Sequence, residues 1–141
     1  MAYIRCESGS KTPSMVETTL WTNASPTADF AEQDITLSDD INNYDYIEFV
    51  WCANKTHNSV QCKMLVPLAD WLITSAATSA ANKTNVILGG NTTSADGARC
   101  GRTAGYVNAT KLHFRTAHNI SGSGYTNSCA IPLYVKGVKL S

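Results

Sequence analysis

The chain has 141 residues, with eleven basic and eleven acidic side chains and no formal net charge, which is enough length for one domain with its own core. No basic stripe or charge run occurs, so nucleic-acid binding by phosphate neutralisation is not expected. Hydrophobic residues make up 43% of the chain, with three Trp and six Tyr, a composition that argues for folding over disorder, and no stretch reaches the roughly 18 to 20 apolar residues of a membrane-crossing helix.

Met1 to Glu7 lacks the apolar centre of a secretory signal. Glu7 to Ser14 reads as linker by composition. Residues 1–14 are therefore expected to be a lead and linker able to serve as a docking segment, and 15–141 a single β domain. A strand is expected over Val16 to Thr22, then a turn at Asn23 to Ala28. The second half of Phe30 to Leu37 reads as another strand, and Ser38 to Asn43 as a polar turn. The stretch from Asn43 to Cys52 is dense in aromatic and β-branched residues, with no Gly or Pro. Ile47, Phe49 and Trp51 fall on one face, and Tyr46, Glu48, Val50 and Cys52 on the other. Both faces are largely apolar, so this is expected to be a central strand covered on both sides.

After a loop at Asn54 to Asn58, Val60, Cys62, Met64 and Val66 alternate with Gln61 and Lys63, as in a strand pairing antiparallel with the central one. Asp70 to Asn82 fits a short helix or an irregular crossing equally well. Thr84 to Leu88 reads as a short strand ended by Gly89-Gly90, followed by a polar loop at Asn91 to Gly97. Arg99 to Val107 reads as strand interrupted by Gly101 and Gly105. Lys111 to Thr116 alternates cleanly, with Leu112 and Phe114 inward. Ala117 to Ser128 reads as loop, and Ala130 to Leu140 as a closing strand with a bulge at Gly137. Seven to eight short strands with frequent turns and little helix indicate an all-β, antiparallel, jelly-roll-like β-sandwich.

Cys6, Cys52, Cys62, Cys100 and Cys129 include no CxxC pair, which argues against structural zinc. They read as buried reduced thiols, with Cys52 and Cys62 placed to face each other across a hairpin.

Four strings resemble the C-terminal domains of tail fibre and tip proteins from bacteriophages and prophages of Gram-positive hosts. They are Thr19-Leu-Trp-Thr-Asn-Ala-Ser-Pro-Thr-Ala-Asp-Phe30, Gln33-Asp-Ile-Thr-Leu-Ser38, Tyr44-Asp-Tyr-Ile-Glu-Phe49 and Cys129-Ala-Ile-Pro-Leu-Tyr-Val-Lys-Gly-Val-Lys139. The resemblance covers most of Val16 to Ser141. It implies a β-sandwich at the tip of a fibre or baseplate, commonly a homotrimer, that contacts other tail or baseplate proteins and binds a host cell-wall polysaccharide. It also implies a place in the virion after assembly in the host cytoplasm.

No nucleophile elbow, HExxH or Walker loop occurs. His57, His113 and His118 are scattered, and Glu17, Glu32 and Glu48 carry no readable pairing, so the chain is expected not to be an enzyme. The acidic residues Asp29, Asp34, Asp39, Asp40, Asp45 and Asp70 do not make an EF-hand. Asp39-Asp40 reads as a solvated turn in preference to a Ca²⁺ site, and no metal or cofactor is expected. Sugar binding needs an aromatic platform with hydrogen-bonding neighbours. Trp21 and Trp51 read as core, which leaves Trp71, Arg99, Arg102, Tyr106, Tyr125 and Asn127 as candidates in or near irregular, glycine-rich segments. Six Asn-x-Ser/Thr sequons, at Asn23, Asn54, Asn82, Asn91, Asn108 and Asn119, read as products of an Asn- and Thr-rich surface, not glycosylation sites. Three functions are thus expected in descending order: a non-catalytic glycan-binding tail tip domain, a structural baseplate or capsid decoration component contacting only virion proteins, and a small glycan hydrolase.

Overall fold

The computed structural model describes residues 14–56, 59, 61–72, 85–91, 99–119 and 124–141. The regular structure is almost all β, in two antiparallel sheets. The first sheet contains β1 (Met15–Thr22), β3 (Tyr46–Asn54), β4 (Gln61–Pro67) and β10 (Cys129–Leu140), in the order β1-β10-β3-β4. The second contains β2 (Gln33–Thr36), β5 (Asn85–Asn91), β6 (Arg99–Asn108), β7 (Lys111–Phe114), β8 (Ala117–Asn119) and β9 (Tyr125–Thr126). Its order is β2-β7-β6-β8-β9, with β5 also paired to β6.

The Asn43 to Cys52 stretch is central, as its two-sided apolar pattern requires. β3 lies between β10 and β4, with Ile47, Phe49 and Trp51 buried on one face and Val50 and Cys52 buried on the other. β4 pairs with it as an antiparallel neighbour, Phe49 opposite Met64. The inner faces meet in a run of ring contacts: Trp21 to Phe30 (6.0 Å between centroids), Phe30 to Phe114 (5.6 Å), Phe114 to Phe49 (6.3 Å), Phe49 to Trp71 (5.7 Å) and Trp71 to Tyr106 (6.3 Å). All five are edge-to-face, the arrangement that ring quadrupoles favour. The indole Nε1 of Trp51 donates to the Gly89 carbonyl at 2.7 Å and ties the two sheets together.

Several local expectations change. Gly89-Gly90 does not end its strand, because β5 runs on to Asn91 against β6. Gly90 is required by close packing: a Cβ there would collide with the Ala53 carbonyl and lie 2.9 Å from the Ala130 nitrogen. Gly101 and Gly105 do not interrupt β6. The bulge in β10 against β3 lies between Pro132 and Tyr134, not at Gly137. Proline has no N–H for a ladder bond, so the irregularity falls where a bond is already lost. The 38–43 turn closes as a short 3-10 turn, Ile41–Asn43, capped by the Asp40 carboxylate, which accepts from the Asn42 N–H. The 70–82 segment begins in a five-residue helix, α1 (Leu68–Leu72). The remainder of that segment, residues 1–13, the 92–98 loop and residues 120–123 lie outside the described residues.

The cysteines also differ from expectation. Cys100 of β6 and Cys129 of β10 form a disulfide that joins the two sheets. Cys52 and Cys62 are free. They are not cross-strand partners, since Cys52 lies opposite Gln61 and Cys62 opposite Trp51, which sends their side chains to opposite faces.

Candidate functional site

The residues singled out for sugar binding do not form one surface site: Trp71 meets Tyr106 and Arg102 reaches the Asn127 carbonyl, but Trp71 and Arg102 are buried. Trp71, in α1, is only 1% exposed and packs edge-on against Phe49 and Tyr106. Arg102 points inward from β6 and is 0% exposed. Its Nε donates to the Ala130 carbonyl (2.9 Å), Nη1 to that of Arg115 (2.6 Å) and Nη2 to that of Cys129 (3.0 Å), with a longer contact to Asn127 (3.4 Å). Its guanidinium carbon lies 5.2 Å from the centre of the Phe30 ring, within reach of a cation–π attraction. Burial pushes its pKa down to about 10, so the group is still charged at neutral pH. Both residues are thus core components, correcting their assignment to a surface site. Tyr106 is half-buried on β6, and Arg99 is exposed at its start. Tyr125 lies in β9. The Asn127 carbonyl accepts the Phe30 N–H at 2.8 Å, while its side-chain oxygen is buried without a partner.

A cleft of about 320 Å³ lies instead where β1 leaves the first sheet. Trp21, Thr22, Asn23, Ala24, Ser25, Asp29, Phe30 and Gln33 line it. Trp21 was expected in the core. Its ring does touch Phe30 and Phe114, but the residue is only half-buried and forms a wall of the cleft.

The turn from Asn23 to Phe30 is held at both ends. Asn23 receives the Ser25 N–H on its side-chain oxygen (2.9 Å), and its Nδ2 donates to the Pro132 carbonyl (2.8 Å). This local turn chemistry is what short Asn side chains offer. The Asn23 N–H donates to the Leu133 carbonyl at 2.9 Å. At the far end, Phe30 hangs from Asn127, and the Lys55 N–H donates to the Ser128 carbonyl at 3.0 Å. Lys55 then reaches Asp29, Nζ to Oδ1 at 2.8 Å, with 34% and 56% of the two side chains exposed. An exposed pair of this kind adds little stability, but it presents a donor and an acceptor side by side.

The cleft therefore offers an aromatic face, a carboxylate beside an ammonium, amides at Asn23 and Gln33 and a hydroxyl at Ser25. Asp29 is the one carboxylate among its lining residues. Sequence reasoning passed over this site because Trp21 sits inside a regular strand. The signal was a Trp at a strand end followed directly by Thr22-Asn-Ala-Ser-Pro26.

Asp39 and Asp40 are engaged within their own turn. Asp39 accepts from the Tyr44 hydroxyl (2.8 Å), the Asn43 amide (3.0 Å) and the Asp40 N–H (2.8 Å). His113 lies 2.6 Å from Asp34 and 3.8 Å from Glu32, outside the cleft. Among the described residues, no group of three His, Cys, Asp or Glu side chains is placed to hold a metal ion.

No protein-family model matches the chain. No curated protein matches it either.

Proposed function

We propose that this chain is the receptor-binding domain of a phage tail tip or fibre, a non-catalytic module that takes a host cell-wall glycan in the Trp21 cleft. The observation that carries the reading is the cleft itself. A partly exposed indole beside Asp29, Asn23 and Gln33, with Lys55 paired to Asp29, combines an apolar platform with convergent polar groups, the usual make-up of a small-molecule site. The Asp29 charge offsets that of Lys55, which favours a neutral sugar over an anionic polymer. One carboxylate in the lining suits binding better than glycoside hydrolysis, which ordinarily uses two.

A single open cleft of this size is expected to hold a sugar only weakly. Assembly as a homotrimer would supply avidity by presenting three such clefts together. Met15 and Leu140, paired at one end of β1 and β10, and the neighbouring Val16 are each about half exposed. That apolar corner suits a contact within the trimer or with another tail protein.

The test compares fluorescently labelled wild-type protein, Trp21→Ala and Asp29→Ala on purified Gram-positive wall polysaccharides and on an array of neutral glycans. Arg99→Ala serves as the surface control. The reading expects wild type and the control to bind, with both cleft variants weakened at least tenfold, about 1.4 kcal/mol. Retained binding by both cleft variants would move the site elsewhere. Binding to virion proteins with none to any glycan would favour the structural role.

A further inference from the structure

We propose that the Cys100–Cys129 disulfide is a redox-sensitive staple that sets the geometry of the Trp21 cleft, an inference that rests on reading the cleft as a ligand site. The bond joins β6 of one sheet to β10 of the other across 29 residues, and both cysteines are buried. The two residues just before Cys129 carry the cleft. The Asn127 carbonyl holds the Phe30 N–H, and the Ser128 carbonyl holds the Lys55 N–H. Phe30 adjoins Asp29 in the chain, so both halves of the Asp29–Lys55 pair are positioned from the Asn127–Ser128 segment.

That segment is held from the other side by Arg102, two residues beyond Cys100. Its donors reach the carbonyls of Asn127, Cys129 and Ala130. Ala130 has φ 47°, a left-handed conformation that a residue with a Cβ keeps only when its surroundings enforce it. Gly90 lies under the same segment, where a Cβ would be 3.0 Å from the Cys129 sulfur. The disulfide, Arg102 and Gly90 thus fix one short stretch, and that stretch hangs the cleft wall.

Opening the staple is thiol–disulfide exchange. A thiolate of a dithiol reductant attacks one sulfur, the protein S–S bond breaks, and the reductant's second thiolate resolves the mixed disulfide. The reductant supplies two electrons and becomes a cyclic disulfide, leaving Cys100 and Cys129 as thiols. Closing runs the reverse way, with a low-molecular-weight disulfide as oxidant. Because both cysteines are buried, exchange proceeds through local opening. The bonded form keeps Asp29 and Lys55 together, and the dithiol form releases the segment that positions them.

Hydrogen exchange resolved to single amides tests this on three samples: the oxidised protein, the same protein reduced with dithiothreitol, and Cys100→Ala/Cys129→Ala. The expected result is exchange about tenfold faster at the Phe30 and Lys55 amides in both the reduced and the doubly substituted protein, with β1–β10 ladder amides changed less than about twofold. Unchanged cleft amides, a uniform rise across all amides, or unfolding of both altered forms would each overturn the proposal. Responsive cleft amides in a protein that binds no glycan in either state would leave the staple standing and remove the ligand reading alone. Equal glycan binding in both states with silent cleft amides would do the opposite.

Discussion

The ring of Tyr44 lies flat against the backbone of Gly137, so close that a Cβ at Gly137 would sit 2.5 Å from ring carbons. The contact explains a glycine in the middle of a twelve-residue strand without invoking a bulge. The ring closes the end of the sheet after the 3-10 turn, and its hydroxyl reaches back to Asp39 at 2.8 Å. Gly137→Ala is expected to cost about 1–3 kcal/mol, the range for overpacking a tight contact. Gly89→Ala, where nothing lies within 4 Å of the added methyl, should be neutral or stabilising by about 0.5–1 kcal/mol. Urea denaturation checks both. Equal losses at the two positions would show that the Tyr44 ring yields.

The same tyrosine gives the turn a defined pH window. The Tyr44 hydroxyl, followed by the Asp40 N–H, holds the Asp39 carboxyl below its ordinary value of 3.8. Burial, then the neighbouring Asp39, pushes Tyr44 above its ordinary value of 10.0. Asp39 has a folded pKa below its unfolded one, so its contribution is present above the unfolded value and lost as the pH falls through the folded value. Tyr44 has the opposite sign: its contribution is present below 10 and lost as the pH rises through its folded pKa. Tyr44→Phe should therefore flatten both limbs of the stability–pH curve and leave its slope near pH 7 unchanged. Denaturation midpoints from pH 2.5 to 11 would show it, and parallel curves for the two proteins would refute the assignment.

The free thiols differ in environment. Cys52 is 0% exposed, and burial raises its pKa, whereas Cys62 is half-buried on the edge strand β4. Thiolate fraction and access both control alkylation. Iodoacetamide on the native oxidised protein should label Cys62 well before Cys52 and leave Cys100 and Cys129 unlabelled. Peptide mass spectrometry reads each site, and early labelling of Cys100 or Cys129 would show an open staple.

The sheet scaffold was legible because alternation reports a buried face directly. Leu112 and Phe114 against His113, and Val50 and Cys52 behind Phe49 and Trp51, were all placed by period and residue type alone. Glycine was misleading for a physical reason. Gly90 and Gly137 serve close packing inside strands, a role that depends on neighbours far away in sequence. The inter-sheet disulfide was hidden in the same way, since Cys100 and Cys129 meet only after β6 and β10 fold onto opposite layers. Arg102 and Trp21 exchanged their expected roles because sequence shows polarity but not partners. A guanidinium can be buried when carbonyls converge on it, and an indole can stay partly exposed at the end of a strand.

Arg102 is the sharpest case, and its removal should be costly. Its fork satisfies the buried carbonyls of Ala130 and Cys129 at 2.9 and 3.0 Å and the part-buried carbonyl of Arg115 at 2.6 Å, and each buried acceptor left without a donor costs about 1–3 kcal/mol, not additively. Arg102→Ala adds a cavity over Phe30 to that loss, so a total of about 3–5 kcal/mol is expected. Arg102→Lys keeps the charge but cannot span acceptors spread around a planar fork, and should recover less than half of the loss. Arg99→Ala, three residues earlier on the same strand but exposed, should stay within about 0.5 kcal/mol of wild type. Guanidinium denaturation with unchanged m-values would make the comparison clean. A loss below about 1 kcal/mol for Arg102→Ala would mean that water replaces the guanidinium at those carbonyls, and the segment that carries the cleft would then owe its shape to the disulfide and Gly90 alone.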